Sequence, residues 1–223
     1  MVSVVKRRKS PGKLAHITDR KTIGKIEDGI MIFDCTLKSV EKCSEGEFLE
    51  QYVKILNHQL RAKGEKPVYL YYRHVRSPVE SPDSLKGRLK YPYTYTLHIS
   101  AHGGVDKETG QTVLQVGNGD FTLQDLKDIW SEIPKEERPL LIVLSACEAG
   151  HLDLIRAFSK EGCRYCIAPV FKTDWEKTAL FSALFYTYLF CEQMRPVAAF
   201  EKAKNRLPEL TGWWKMFDNG KEI

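Results

Sequence analysis

At 223 residues, 43% hydrophobic and 28% charged, the chain has apolar material for one sizeable core and reads as an ordinary globular domain, not a disordered segment. Its net charge of +5 is mild and demands no acidic partner. Much of that charge can come from the Lys6-Arg7-Arg8-Lys9 run, which reads as a solvated tail. The most apolar stretch, Ala179 to Cys191, is interrupted by Ser182 and Thr187 and is too short for a bilayer span, so no membrane integration is expected. The six cysteines show no paired spacing and no secretory signal precedes them, so reduced thiols and a cytoplasmic location are expected.

Residues 1–28 are basic and weakly patterned and read as an N-terminal arm; residues 29–223 read as a single domain. Gly29 to Thr36 is a first apolar strand. From Gly46 to Arg61, Phe48, Tyr52, Val53, Ile55, Leu56 and Leu60 recur at helical spacing, and Gly64 stops the helix. Val68 to Val75 is a second strand. Ser77 to Lys90, with Pro78 and Pro82, is a loop. Tyr95 to Ala101 is a third strand, ending at His102, Gly103 and Gly104. Thr112 to Val116 and Asp120-Phe121 flank Gly117-Asn118-Gly119, a hairpin signal. Thr122 with Asp125 three residues on has the form of a capping box for a helix through Trp130. Leu140 to Ser145 is an unbroken apolar run, the mark of a buried parallel strand, and it stops at Ala146-Cys147. A helix from Leu152 to Lys160, a strand from Arg164 to Phe171, and helices from Asp174 to Cys191 and Pro196 to Leu207 follow. A tail holds Trp213, Trp214 and Phe217. Alternating strands and helices predict an α/β fold, a three-layer sandwich with a mostly parallel central sheet and helices on both faces.

Parallel sheets carry their chemistry at the carboxyl ends of the strands, which is where Cys147 and His102 fall. If the two strands are neighbours, a thiol and an imidazole share one rim, the minimum needed for a thiolate nucleophile with an acid–base partner. A lone cysteine is more often a small buried apolar residue; the histidine at an equivalent strand end shifts the balance. The N-terminus of the helix near Leu152 would favour a thiolate, and Glu148 would oppose one. The Gly103 N–H, with that of Cys147, is a candidate oxyanion hole. His98 lies four residues from His102, roughly 13 Å along a strand, so one metal ion cannot take both, and His98 is expected beneath the site. Cys163-Arg-Tyr-Cys166 lacks the further ligands of a zinc site and opens a strand, not a helix. The Tyr69, Tyr71, Tyr72, Arg73 interleaving comes without an RNA-binding signature, and no phosphate-cradling glycine motif is present, so nucleic acid is not expected as a partner.

The segments Leu97-His-Ile-Ser-Ala-His-Gly103 and Val143-Leu-Ser-Ala-Cys-Glu-Ala-Gly150 resemble the histidine and cysteine motifs of the CHAT domain, a caspase-like cysteine peptidase family of clan CD that is related to separase. The likeness extends through the Asn118-Gly119 turn, Asp125-Leu126, Ala168 to Asp174, Val197-Ala-Ala and the Trp214 to Gly220 ending, about residues 95 to 223 in all. It implies a caspase-like sheet, a His102/Cys147 dyad, and cysteine endopeptidase activity on a protein substrate without cofactor or metal. It also implies an effector role in bacterial defence or signalling, and leaves room for a separate sensor or activator protein. The rival reading is a non-catalytic interaction module of the same fold. Phe171-Lys172 departs from the family's Trp-Pro at the cleft wall. Asp174, with Asp153 as second candidate, is the expected carboxylate selecting a basic residue before the scissile bond. Each has a helix-capping role as the plain alternative.

Overall fold

The computed structural model describes residues 29–36, 43–75, 96–117, 119–135, 138–147, 149, 152–160, 162–211 and 213–223. The basic arm, the 77–90 loop, Asn118, Glu148 and Gly150 lie outside the described residues.

The shorter apolar runs of the sequence become strands, while the longest, Ala179 to Cys191, is helical. β1 (Gly29–Asp34), β2 (Tyr69–His74), β3 (Thr96–Ser100), β7 (Leu141–Ser145) and β8 (Tyr165–Pro169) form the parallel body of a seven-stranded sheet. Its order is β10 (Lys221–Glu222), β9 (Trp214–Asp218), β8, β7, β3, β1, β2. The aromatic segment read as a tail supplies β9, antiparallel to β8, and β10. The glycines after His102 are also extended. β4 (His102–Val105), β5 (Thr112–Val116) and β6 (Gly119–Phe121) make a separate three-stranded antiparallel sheet.

The period of two along each parallel strand divides the core. Met31, Phe33, Leu97, Ile99, Ile142 and Leu144 face one side. There they pack with α2 (Leu123–Ser131) and α3 (Leu152–Lys160), where Trp130 meets Phe158 edge-on at 5.0 Å. Ile30, Ile32, Leu141, Val143 and Ile167 face the other, under α1 (Glu45–Ala62), α4 (Trp175–Tyr186) and α5 (Pro196–Arg206). On that side Trp214 of β9 stacks on Phe181 at 4.5 Å. Helices therefore cover both faces of a mostly parallel sheet, as the strand–helix alternation predicts. A short α6 (Pro208–Thr211) leads into β9.

Local chemistry fixes the ends of these elements. Thr122 and Asp125 form a full capping box, each side chain accepting the other residue's backbone N–H. The predicted helix through Cys191 changes winding at Thr187: residues Thr187–Cys191 are π-helical, closed by the Glu192 N–H donating to the Thr187 carbonyl. The Thr187 hydroxyl donates to Ala183 O and also meets Tyr52 of α1 at 2.7 Å, so this helix end is tied across the layer. Among the described residues, no helix is long and apolar enough to cross a membrane.

Candidate active site

β3 and β7 are adjacent and parallel, with Ser100 opposite Ser145, so the residues that follow each strand emerge on one rim. The Ala101 N–H bonds the Ser145 carbonyl at 3.1 Å and continues the pairing one step past the strands. His102 and Cys147 lie two residues beyond Ser100 and Ser145 respectively, and both line one cleft of about 650 Å³. The other walls come from Thr36 after β1, Glu45 at the start of α1, and the stretch from Thr173 to Thr178. Cys147 is partly exposed, and its Sγ donates to the Thr173 carbonyl at 3.5 Å. The thiols of Cys35 and Cys166 are buried, which pushes both well above the ordinary range, with the Asp34 carboxylate adding to the effect at Cys35. Burial raises Cys191 in the same direction.

Gly103 is where the two strand ends touch. A Cβ built on it would collide with the carbonyl oxygen of Cys147 and stand 3.0 Å from that residue's C and N atoms, whereas one on Gly104 would meet nothing within 4 Å. Glycine at 103 is thus what allows the backbones of the histidine strand and the cysteine turn to lie against each other. Gly103 itself is not among the lining residues of the cleft.

Beneath the rim lies a buried polar layer on the α1/α4 face. His98 is fully buried, its Nδ1 2.7 Å from the Tyr186 hydroxyl and its Nε2 3.5 Å from Glu45 Oε1. That agrees with the expected place under the site. Glu45, only 2% exposed, receives hydroxyl bonds from Ser145 (2.8 Å) and Ser182 (3.2 Å) at Oε1 and from Ser100 (3.0 Å) at Oε2. It also raises the Tyr186 phenol, whose burial is the larger cause. A second buried carboxylate, Asp34 at the end of β1, accepts from the hydroxyls of Thr36, Ser44 and Tyr72. Ser44 is the N-cap of α1 and its Oγ accepts the Glu47 N–H, so Asp34 anchors the residue that starts the helix carrying Glu45.

The two aspartates named from the sequence sit differently. Asp174 lines the cleft, but its carboxylate is exposed and paired with Lys177 at 2.7 Å. It occupies the N-cap position of α4 without making a side-chain cap bond. Asp153 is not among the lining residues. Its carboxylate joins α3 to β5, accepting from Thr112 N (3.2 Å) and Oγ1 (3.0 Å) and from Leu154 N (2.8 Å). Burial pushes that carboxyl up, but these hydrogen bonds outweigh it and hold it below the usual range. Neither Glu45 nor Asp34 is named by the sequence reading. Ser44 with Glu47 three residues on has the form of a capping box and places a helix start there; what Glu45 points at depends on serines 55 and 100 residues away.

A mostly parallel sheet with a cysteine and a histidine at the carboxyl ends of neighbouring strands, helices on both faces, is the arrangement of caspase-like cysteine proteases. The CHAT domain family model matches residues 57–214, and the chain belongs to that family. Among solved structures it is similar to an inactive zymogen of a C11 protease from Parabacteroides distasonis. The match has a TM-score of 0.54 at 11% identity and covers 89% of this chain. The chain spans 64% of that protein's length, and at this identity the likeness is one of fold. No curated protein matches the sequence.

Proposed function

We propose that the protein is a cysteine endopeptidase. The observation that carries this reading is the convergence of Cys147 and His102 on one cleft from the ends of adjacent parallel strands. His102 accepts the thiol proton, and the Cys147 thiolate attacks the scissile carbonyl carbon. The proton then passes to the leaving amine, and water hydrolyses the thioester with His102 as base. The backbone N–H groups of Gly103 and Cys147 are the proposed oxyanion donors; the contact between the two backbones supports the pairing. No step needs a metal or cofactor. Among the described residues, the cleft carries the carboxylates of Glu45, Asp174 and Glu176 against the ammonium of Lys177, which supports a basic residue before the scissile bond. The wider role, an effector in bacterial defence or signalling that acts in the cytoplasm with a separate sensor or activator protein, rests on family resemblance alone.

The test is turnover of a diverse peptide library together with labelling of Cys147 by iodoacetamide. Cys147→Ala and His102→Ala are expected to abolish turnover while melting like wild type, because both residues sit on a rim. His102→Ala is further expected to slow the labelling. Turnover in Cys147→Ala close to wild type refutes the peptidase. No turnover, with labelling indifferent to His102, points instead to a non-catalytic interaction module.

A further inference from the structure

We infer that the Glu45 carboxylate is the floor of the pocket for the residue before the scissile bond, and that it selects an arginine or lysine side chain. This rests on the peptidase reading and assigns its specificity to a residue other than Asp174 or Asp153.

Three observations converge on Glu45. It lines the same cleft as Cys147 and His102, yet it is almost wholly buried, so a ligand in the cleft would meet it away from bulk water. Its position is fixed by the residues that set the dyad: Ser100 precedes His102 by two positions and Ser145 precedes Cys147 by two, and each hydroxyl holds one carboxylate oxygen. Two strand residues span roughly 7 Å, a depth below the reacting atoms that an extended lysine or arginine reaches and a leucine or aspartate does not. Finally, the oxygens are not equally occupied. Among the described residues, Oε1 holds two serine hydroxyls and has His98 Nε2 at 3.5 Å, whereas Oε2 holds only Ser100. A carboxylate has about four acceptor sites in all, so Oε2 keeps capacity for a donor.

The remaining charged groups of the cleft leave this role to Glu45. Asp174 is exposed and already paired with Lys177, and Glu176 is exposed at the mouth. Thr173, on the wall, has a buried hydroxyl with no hydrogen-bond partner among the described residues, a second acceptor for a cationic head group. A guanidinium has the donors to use both, and a charge-assisted bond in a shielded site is stronger than one at the surface.

The experiment compares matched peptides with arginine, lysine, leucine or aspartate before the scissile bond, in wild type, Glu45→Gln, Glu45→Asp, Asp174→Asn and Asp153→Asn. Alongside it, agmatine is tested for protection of Cys147 against iodoacetamide, a readout that needs no turnover. Wild type is expected to prefer arginine and lysine. Glu45→Gln is expected to lose about 30-fold or more in kcat/KM for them, with the leucine peptide spared. Agmatine should protect wild type and not Glu45→Gln. Preference for leucine or aspartate in wild type overturns the assignment. So does an arginine preference kept by Glu45→Gln, or one lost in Asp174→Asn or Asp153→Asn instead. If Glu45→Gln does not melt cooperatively, Glu45→Asp decides: it keeps the charge one methylene further back, so an unchanged arginine-to-leucine ratio overturns the inference. If no peptide is cleaved, the peptidase reading fails by itself. Agmatine protection that depends on Glu45 then still upholds the cation site, and its absence in wild type removes it.

Discussion

Adjacent glycines offer an internal control on the site geometry. Replacing Gly103 by alanine drives a Cβ into the Cys147 carbonyl, and because the obstacle is backbone it cannot swing aside. The two backbones must separate by on the order of 1 Å to restore van der Waals contact. Overpacking of this kind costs about 1–3 kcal/mol, which for a chain of this size lowers Tm by roughly 5 °C. A misplacement of about 1 Å between nucleophile and base is also enough for a loss on the order of 100-fold in rate. Gly104→Ala places its Cβ in open space, so it should change stability by no more than about 1 kcal/mol, toward stabilisation, through reduced freedom of the unfolded chain. The assay is a thermal melt of both variants with kcat/KM on the best peptide substrate. Gly103→Ala behaving like Gly104→Ala in both measurements would show that the contact between the histidine strand and the cysteine turn does not set the site.

Two further outcomes follow from the buried layer and from the α3–β5 clamp. A glycine in a helix normally costs about 1 kcal/mol relative to alanine, but a Cβ at Gly46 would lie 2.5 Å from Asp34 Cβ. Gly46→Ala is therefore expected to lower Tm and to weaken any basic preference by displacing Glu45; an alanine variant more stable than wild type refutes this. Asp153→Asn should cost roughly 1 kcal/mol, about 2–4 °C in Tm, at neutral pH through lost charge-assisted hydrogen bonds. The carboxyl is depressed in the folded state, so its stabilisation is present above the ordinary aspartate range and is lost as pH falls through the folded value. The gap between wild type and Asp153→Asn should accordingly close in acid; a gap that widens as pH falls contradicts the sign.

The parallel body of the sheet was legible because Ile30 to Phe33 and Leu141 to Leu144 are continuous apolar runs, and Thr96–Ser100 alternates Leu97 and Ile99 with polar residues. That Cys147 and His102 share one cleft was legible for the same reason, since both follow the ends of such strands. β4 was hidden by its two glycines, which read as a turn, although the hairpin behind it leaves a signature. Asp106 accepts the N–H groups of Glu108 and Thr109, and Gly110 has φ +68°. The β9–β10 hairpin carried the same kind of mark in Asn219-Gly220, at φ 49° and 76°, after the alternating burial of Trp214 and Met216 against Lys215. The aspartates named for specificity were chosen by nearness to the strand ends in sequence. Glu45, the carboxylate proposed for the floor, comes from the other end of the chain, where nothing local distinguishes it from an ordinary helix-start glutamate.

That floor has a temporal side. Its hydrogen bonds join Glu45 to Ser145 across 100 residues and to Ser182 across 137. Closing a loop of that length in an open chain costs about 4 kcal/mol of entropy, which the surrounding sheet must offset before the cleft exists. The ribosome releases Glu45 long before α4, so the nascent chain holds a helix start, later a thiol, and only last the Ser182 that completes the layer beneath them. Completion of the cleft is thereby linked to completion of the domain, and a chain arrested between Cys147 and Ser182 carries the thiol without the finished layer beneath it.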